Sequence, residues 1–502
     1  MNDPVTTSPT APGTTLAQLT RAIPGATLHG DPSTLVRDVR HDSRDVEAGD
    51  LFVARPGART DGARFVHDAL ARGAAAVLTA RPLELDVPQI VAPAIERALA
   101  LASSTVWSHP TRSIDVIGIT GTNGKTTTAW LVEHALARLG ARPGLLGTVA
   151  QRFGSRSWPA VHTTPEADDL TRRFAAMRND GATHVVMEVS SHALALERVA
   201  AVHFRVAALT NVTQDHLDFH GTMERYIAAK RRLFEELSPR TSVLNLDDDT
   251  GADLAQTIPE AITYGREAPA AHLRLREGGA SRDGIEALVL TPEGEVVLRS
   301  PLVGTHNVEN LLCALGILGA LGYPYARAAD ALADAPGAPG RLERVSTPKP
   351  TVPFTVLVDY AHTPDALERV LATVRAMTPG RVVCVFGCGG DRDPSKRPQM
   401  GAAVARGADF AIVTNDNPRT ENPVHIADAV LQGLRSVRPD RYAVLLDRRE
   451  AITAAIAMAG HGDTVLIAGK GHEPYQEVHG VRLPFDDRDV ARAALAARET
   501  KP

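Results

Sequence analysis

The run Gly121-Thr122-Asn123-Gly124-Lys125-Thr126-Thr127 combines glycines, a lysine and hydroxyls in a spacing suited to holding a polyphosphate. Glycines let backbone N–H groups approach phosphate oxygens, and a helix starting here adds partial positive charge. Lys125 can neutralise the outer phosphates and the Thr126 hydroxyl can ligate magnesium, so ATP and Mg2+ are the expected cofactors. The usual spacing of such loops puts a glycine at position 119, where this chain has Ile119; Gly118 comes one residue too early. The shortened loop argues against a generic GTPase or motor ATPase.

Further residue types could serve the same chemistry. Glu188 ends an apolar run, where an ionised carboxylate is costly unless it meets a cation. With Thr126 and His216 it could hold magnesium; taken singly, a salt-bridged glutamate and a satisfied core histidine are the plainer alternatives. Lys230 lies in Tyr226-Ile227-Ala228-Ala229-Lys230-Arg231-Arg232 and by itself reads as part of a solvated basic helix face. Arg392 and Arg419 can each grip a carboxylate with two hydrogen bonds, and Glu473 can receive an ammonium. Cys384 and Cys388 sit in an apolar strand running into a glycine turn, which reads as buried packing rather than half a metal site.

These residues need elements to position them. A strand over 114–119 precedes the glycine loop, and a helix over 126–139 follows it and stops at Gly140. Buried strands are expected at 184–189 and 206–209, then a second alternation at 354–358, 382–386, 410–413, 442–446 and 464–467. Short strands at 51–54 and 75–78 mark a small unit before the loop. Strands alternating with helices imply an α/β chain of mainly parallel sheets, whose ligand crevices lie at the carboxyl ends of the strands. The 502 residues exceed one compact core and suggest roughly three domains. The boundaries fall at 15–109, 110–339 and 340–502, after a disordered Thr-, Pro- and Ser-rich tail over 1–14.

A formal net charge of -5, from 54 basic and 59 acidic residues, leaves no electrostatic footprint for nucleic acid or an anionic membrane. No apolar run approaches a membrane span, no basic region followed by an apolar core opens the chain, and three cysteines imply no disulfide framework. A cytoplasmic enzyme is expected.

Beyond the loop, several motifs occur in one order: Glu188-Val189-Ser190-Ser191-His192, Asp215-His216-Leu217-Asp218-Phe219-His220, Lys230, Gly340-Arg341-Leu342-Glu343, Asp359-Tyr360-Ala361-His362, Asp416-Asn417-Pro418-Arg419 and Gly469-Lys470-Gly471-His472-Glu473. Together they resemble the Mur ligases, which build the peptide stem of bacterial cell-wall precursors. The resemblance spans nearly the whole chain and implies three domains: an N-terminal UDP-binding domain, a central P-loop ATPase domain and a C-terminal Rossmann-like domain that binds the amino acid.

It further implies that the chain adds meso-2,6-diaminopimelate to UDP-N-acetylmuramoyl-L-alanyl-D-glutamate, as a monomer. Lysine and ornithine are the alternative amines. Thr126, Glu188 and His216 match the family's metal ligands. Lys230 matches a lysine that the family carboxylates, with Arg231 and Arg232 expected to lower its pKa by like-charge repulsion. Ser43 and the stretch Ala58-Arg59-Thr60 match positions at the uridine end. Thr163, Thr164, Ser190 and Arg198 match those that hold the muramoyl dipeptide, whereas His162 and Leu196 depart from the Asn and Gln of some members. Asn310 and Arg341 match residues near the adenine and phosphates, and Asp359 and His362 could line a cleft. Arg392, Asp416, Asn417, Pro418, Arg419, Gly469 and Glu473 match the amine site, where Arg419 marks the diaminopimelate-adding members.

Overall fold

The structure, a computed structural model, describes residues 13–57, 61–347 and 352–499. Of the expected tail, 1–12 lie outside the described residues, as do Ala58-Arg59-Thr60; Thr14 already belongs to the strand Thr14–Thr15. The chain is mixed α/β. It divides into two compact units, one of Met1–Arg276, Val289–Val296 and Glu309–Leu332, the other of Glu277–Leu288, Val297–Val308 and Ala333–Pro502.

In the first unit the strand Asp115–Thr120 is the hub of the large sheet. Val116, Ile117 and Ile119 are fully buried, so apolar side chains on both faces meet helices, as a central parallel strand requires. It pairs in parallel with His184–Glu188 on one side and Phe204–Leu209 on the other. Parallel pairing continues to Pro143–Leu146 beyond the first, and to Thr241–Asn245 and Ile262–Gly265 beyond the second. A strand flanked on both sides by later strands marks a switch in winding direction, and the loops at its carboxyl end open a crevice there. The strand spans and the helix Lys125–Arg138 agree with the sequence reading to within one or two residues.

A smaller sheet of five strands runs in the order Thr27–His29, Gln89–Val91, Ala76–Thr79, Leu51–Ala54, Val39–Arg40, parallel except at its first pair. It belongs to the same unit. The helices Ile95–Val106 and Ala167–Asn179 join it to the large sheet through a shared apolar core that includes Leu99, Val106, Ala167 and Ala175. Beside that core Asp168 accepts from the His41 ring at 2.8 Å and pairs with Arg172, which also reaches Asp38; the Trp107 indole donates to Asp38. Burial opposes a charge on His41, but the Asp168 hydrogen bond and charge prevail and raise its pKa.

The second unit holds a six-stranded sheet in the order Glu343–Arg344, Thr355–Asp359, Thr464–Ala468, Val382–Phe386, Phe410–Val413, Tyr442–Val444, parallel after its first pair. Its winding reverses around Thr464–Ala468, so the crevice lies where Asp359, Gly387 and Gly469 leave their strands. Cys384 and Cys388 are buried in its core, with their thiols pushed up to about 12 by burial; the Cys388 thiol lies 3.3 Å from the Met400 sulfur. Three strands passed over by the sequence reading, Leu273–Ser281, Gly284–Thr291 and Gly294–Ser300, precede it in the chain. No helix among the described residues is long and apolar enough to cross a membrane.

Candidate active site

The glycine loop leaves Asp115–Thr120 and enters the helix at Lys125. Gly121 has φ 146° and Gly124 φ 86°, and a Cβ on Gly121 would collide with the Thr210 hydroxyl. The loop is latched from the neighbouring strand's exit. Thr122 and Asn123 donate their amides to the Asn211 carbonyl and side chain at 2.7 and 3.0 Å, and the Thr210 hydroxyl donates to the Asn123 carbonyl at 2.6 Å. The Thr122 hydroxyl bonds the Thr213 carbonyl and the Tyr226 hydroxyl. Sequence reasoning missed Thr210, Asn211 and Thr213; a polar run directly after an apolar parallel strand was the available signal. Lys125 folds back to donate to the Gly121 and Thr122 carbonyls at 2.8 and 3.0 Å. Asn310 packs its side-chain oxygen into the space over Gly124, which a Cβ there would fill.

At the end of the next strand Glu188 is buried and accepts from the Thr126 hydroxyl at 2.8 Å, the Thr148 amide at 2.8 Å and the Thr148 hydroxyl at 3.1 Å. Thr148, also missed, follows the strand Pro143–Leu146 that pairs with Glu188's own. The network continues. Thr148 bonds Thr163 at 3.0 Å; the Thr164 hydroxyl donates to the Glu188 carbonyl and accepts from the Ser190 amide; and Arg198 donates to the Thr164 carbonyl at 3.1 Å. Ser190 also caps the helix Ser191–Ala195. The Thr126 hydroxyl and Glu188 carboxylate are hard oxygen donors at a helix start, a set that fits Mg2+.

His216, expected with Thr126 and Glu188 as a metal ligand, makes no hydrogen bond to either of them among the described residues. In left-handed backbone (φ 52°) at the start of Leu217–His220, it pairs instead with Asp215 at 3.3 Å and sets its ring edge-on to His192. Lys230 is not on a solvated face: it is buried under the loop and donates to the Gly121 carbonyl at 2.7 Å. Its pKa lies well below 10.5 because of burial, then of the like charge of Lys125. Arg231 and Arg232 do not cause that shift, being occupied by Glu235 and Asp253, and by Glu197 and Glu236. Ser43 lies in the short helix Ser43–Asp45, capped by Asp42, whose carboxyl is held at about 2 by Arg44; no hydrogen bond among the described residues ties Ser43 to the Thr164 network.

In the second unit the loop 416–419 forms a separate cluster. Asn417 donates to Glu473 at 2.9 Å and accepts from Lys470 and the Glu477 amide; Lys470 also pairs with Glu473 at 3.1 Å. Glu473, expected to receive a substrate ammonium, thus already receives the one on Lys470. Asp416 keeps one buried oxygen without a hydrogen bond, against Gly469, whose φ of 117° suits that approach. Behind it Arg448 and Asp487, both wholly buried, pair at 2.7 Å. Arg419, with φ 52°, donates to the Gly390 carbonyl at 2.7 Å, and Gly389 lies between Arg419 and the exposed Arg392. The Arg419 guanidinium and the stem of Arg392 thus both lie beside Gly389.

Arg341 lies over the Tyr360 ring at 5.0 Å, and its Nε is buried without a hydrogen bond. Asp359, its pKa raised by burial, takes the Leu342 and Ala361 amides, and His362 bonds the Tyr360 carbonyl. Gly340 abuts Gly471 so closely that no Cβ fits. The motifs around 340, 359 and 471, far apart in the chain, meet here.

Three family models match: the Mur ligase family catalytic domain over residues 36–104, the Mur ligase middle domain over 119–318 and the Mur ligase glutamate ligase domain over 340–471. The UDP-N-acetylmuramoyl-L-alanyl-D-glutamate--2,6-diaminopimelate ligase of Thermosynechococcus vestitus is 47% identical over 476 residues, 93% of this chain and 94% of that protein. The protein of the same name from Pseudomonas aeruginosa is 46% identical over 93% of this chain and 96% of its own. A solved structure of a ligase of this name superimposes with a TM-score of 0.74 at 33% identity, covering 97% of this chain and all of its own. A folylpolyglutamate synthase from Mycobacterium tuberculosis shares the fold alone, at 20% identity, 80% and 95% coverage and a TM-score of 0.58. The chain therefore belongs to the Mur ligase family.

Proposed function

We propose that this chain joins meso-2,6-diaminopimelate to UDP-N-acetylmuramoyl-L-alanyl-D-glutamate at the expense of ATP, releasing ADP and phosphate, as a cytoplasmic monomer in cell-wall precursor synthesis. The identity of 47% across 93% of the chain to a ligase of that name carries the reading. The presence of Arg419 and Arg392 beside Gly389 supports the choice of amine, since diaminopimelate differs from lysine by a second carboxylate.

The γ-phosphoryl group of ATP passes to the side-chain carboxylate of D-glutamate, and the amine displaces phosphate from the acyl phosphate. Lys125 and the amides at the start of its helix hold the phosphates in line, so the first step is chiefly positioning and charge neutralisation. Thr126 and Glu188 would hold Mg2+, which when bound supplies further positive charge to the phosphates. Thr163, Thr164, Ser190 and Arg198 hold the muramoyl dipeptide, Ser43 and residues 58–60 its uridine end, and Asn310 and Arg341 the nucleotide. His216, whose ring lies 6.3 Å from that of Tyr226, would be the third ligand of the Mg2+ ion. Asp416, Asn417, Pro418, Arg419, Gly469 and Glu473 receive the amino acid with Arg392. The functional domains divide near residues 110 and 340.

Lys230, whose lowered pKa favours the free amine, can attack carbon dioxide through its nitrogen lone pair; loss of a proton from that nitrogen leaves a carbamate. Such an anion beside Lys125 turns a like-charge pair into an ion pair.

Phosphate release measured with UDP-muramoyl dipeptide and each of meso-diaminopimelate, lysine and ornithine tests the reading. Equal rates with lysine sink the amine assignment, and release independent of any amine sinks the ligase. Arg419→Ala raises KM for diaminopimelate about 10- to 100-fold, the worth of a charge-assisted pair, with nucleotide binding unchanged.

A further inference from the structure

The anion-gripping side chain of the first unit does not stand alone. Arg198 donates through one terminal nitrogen to the Thr164 carbonyl at 3.1 Å and pairs through the other with Glu166 at 2.5 Å. Its Nε is buried and makes no hydrogen bond. The other oxygen of Glu166 takes Arg55, from the end of the strand Leu51–Ala54, at 2.9 Å, and Arg55 also pairs with Glu96 at 2.9 Å. A four-membered relay Glu96–Arg55–Glu166–Arg198 thus runs from the five-stranded sheet to the Thr164 network. Glu166 occupies the N-cap of Ala167–Asn179, yet its side chain caps no amide of that helix. Both oxygens are given to guanidinium groups instead.

We propose that Glu166 is a positioning residue, clamped by Arg55, that fixes the Arg198 guanidinium so that its Nε edge meets an anionic group of the muramoyl dipeptide. The inference rests on the reading above that this region takes that substrate. Holding both terminal nitrogens leaves the Nε–H as the nitrogen without a partner and removes the rotamer freedom that binding would otherwise have to freeze. Arg55 ties the same clamp to the end of the strand Leu51–Ala54 in the five-stranded sheet.

The test uses the full chain, with calorimetric binding of UDP-muramoyl dipeptide beside steady-state kinetics for all three substrates. Glu166→Gln weakens dipeptide binding about tenfold, as loss of a charge-assisted hydrogen bond does, while KM for ATP and for the amine stays as in wild type. With Arg198→Met already in place, Glu166→Gln has no further effect, because nothing remains to be positioned. Arg55→Met, which keeps the Glu166–Arg198 pair, weakens binding about threefold with the same selectivity. Wild-type or tighter dipeptide binding by Glu166→Gln overturns the proposal. So do additive effects in the double variant, or a uniform rise of all three KM values with a fall in Tm, the mark of a merely structural ion pair. A wild-type chain that binds no muramoyl dipeptide overturns the substrate reading itself, whatever the variants do.

Discussion

Lys230 and Lys470 are equally buried and differently surrounded. Lys470 has the Glu473 carboxylate and the Asn417 oxygen at 3.1 Å, a strut that shapes the loop 416–419. Lys230 has the Gly121 carbonyl, the face of the Tyr226 ring at 4.6 Å and the like charge of Lys125. Asp215 and Asp248 favour its charge only weakly against burial. The difference teaches that burial alone does not assign a lysine: an ammonium paired with a carboxylate is scaffold, whereas one buried without a carboxylate partner and beside a like charge gives up its proton more readily.

The largest effect that could break this contrast is kinetic. Lys230→Met lowers kcat about 10³-fold, the scale of a lost charge-stabilising group, yet leaves Tm unchanged or higher because an unfavourably placed amine has gone. A variant that keeps its rate or melts earlier puts Lys230 in the scaffold class. Lys470→Met does the reverse, costing about 3 kcal/mol in denaturant unfolding by leaving the Glu473 carboxylate without its counter-charge. It raises KM for the amine while KM for ATP holds; an unchanged unfolding midpoint would show the strut to be idle.

A smaller effect sharpens the contrast through pH. Folded Lys230 releases its proton at lower pH than the unfolded chain, so in carbon dioxide-free buffer stability rises with pH below 10.5, by at most about 1.4 kcal/mol per unit, and is lost as pH falls. Unfolding titrations of Lys230→Met lack that slope. Smallest is the change at His472, two residues beyond Lys470, which burial lowers from 6.5 to about 4. Between those values the unfolded chain carries the extra proton, so Tm climbs from pH 4 to 6.5. His472→Asn flattens the climb, and an unaltered pH profile would assign it elsewhere.

Much of the fold was legible because its signals are local. Apolar runs of four to six residues ending in glycine or polar residues gave Leu51–Ala54, Asp115–Thr120, Val382–Phe386 and Phe410–Val413 within a residue of their observed bounds. The strands from Leu273 to Ser300 escaped because glycines and charges break their apolar pattern: the first, Leu273–Ser281, has only Leu273 buried. In the site, the loop and Glu188 were readable from residue type and position. The roles of Thr148, Thr210, Asn211 and Glu166 were not, since each acts across a strand or sheet boundary that periodicity does not encode. Without the family resemblance Lys230 reads as solvated for the same reason: its helix, Met223–Glu235, has basic neighbours along the chain, and only packing reveals that this one position faces inward under Gly121.

By itself the sequence determined the glycine loop between strand and helix, the alternation of strands and helices and the order of the family's motifs, because each depends on neighbours within a few residues. Only the tertiary structure decided which cations are paired and which are left short of an anion. It put Glu188 among hydroxyls, moved His216 into its own cluster with Asp215 and His192, gave the Lys470 ammonium to Glu473 and left Lys230 with a carbonyl. Charge and desolvation act through space over a few ångströms, and no spacing along the chain fixes those distances.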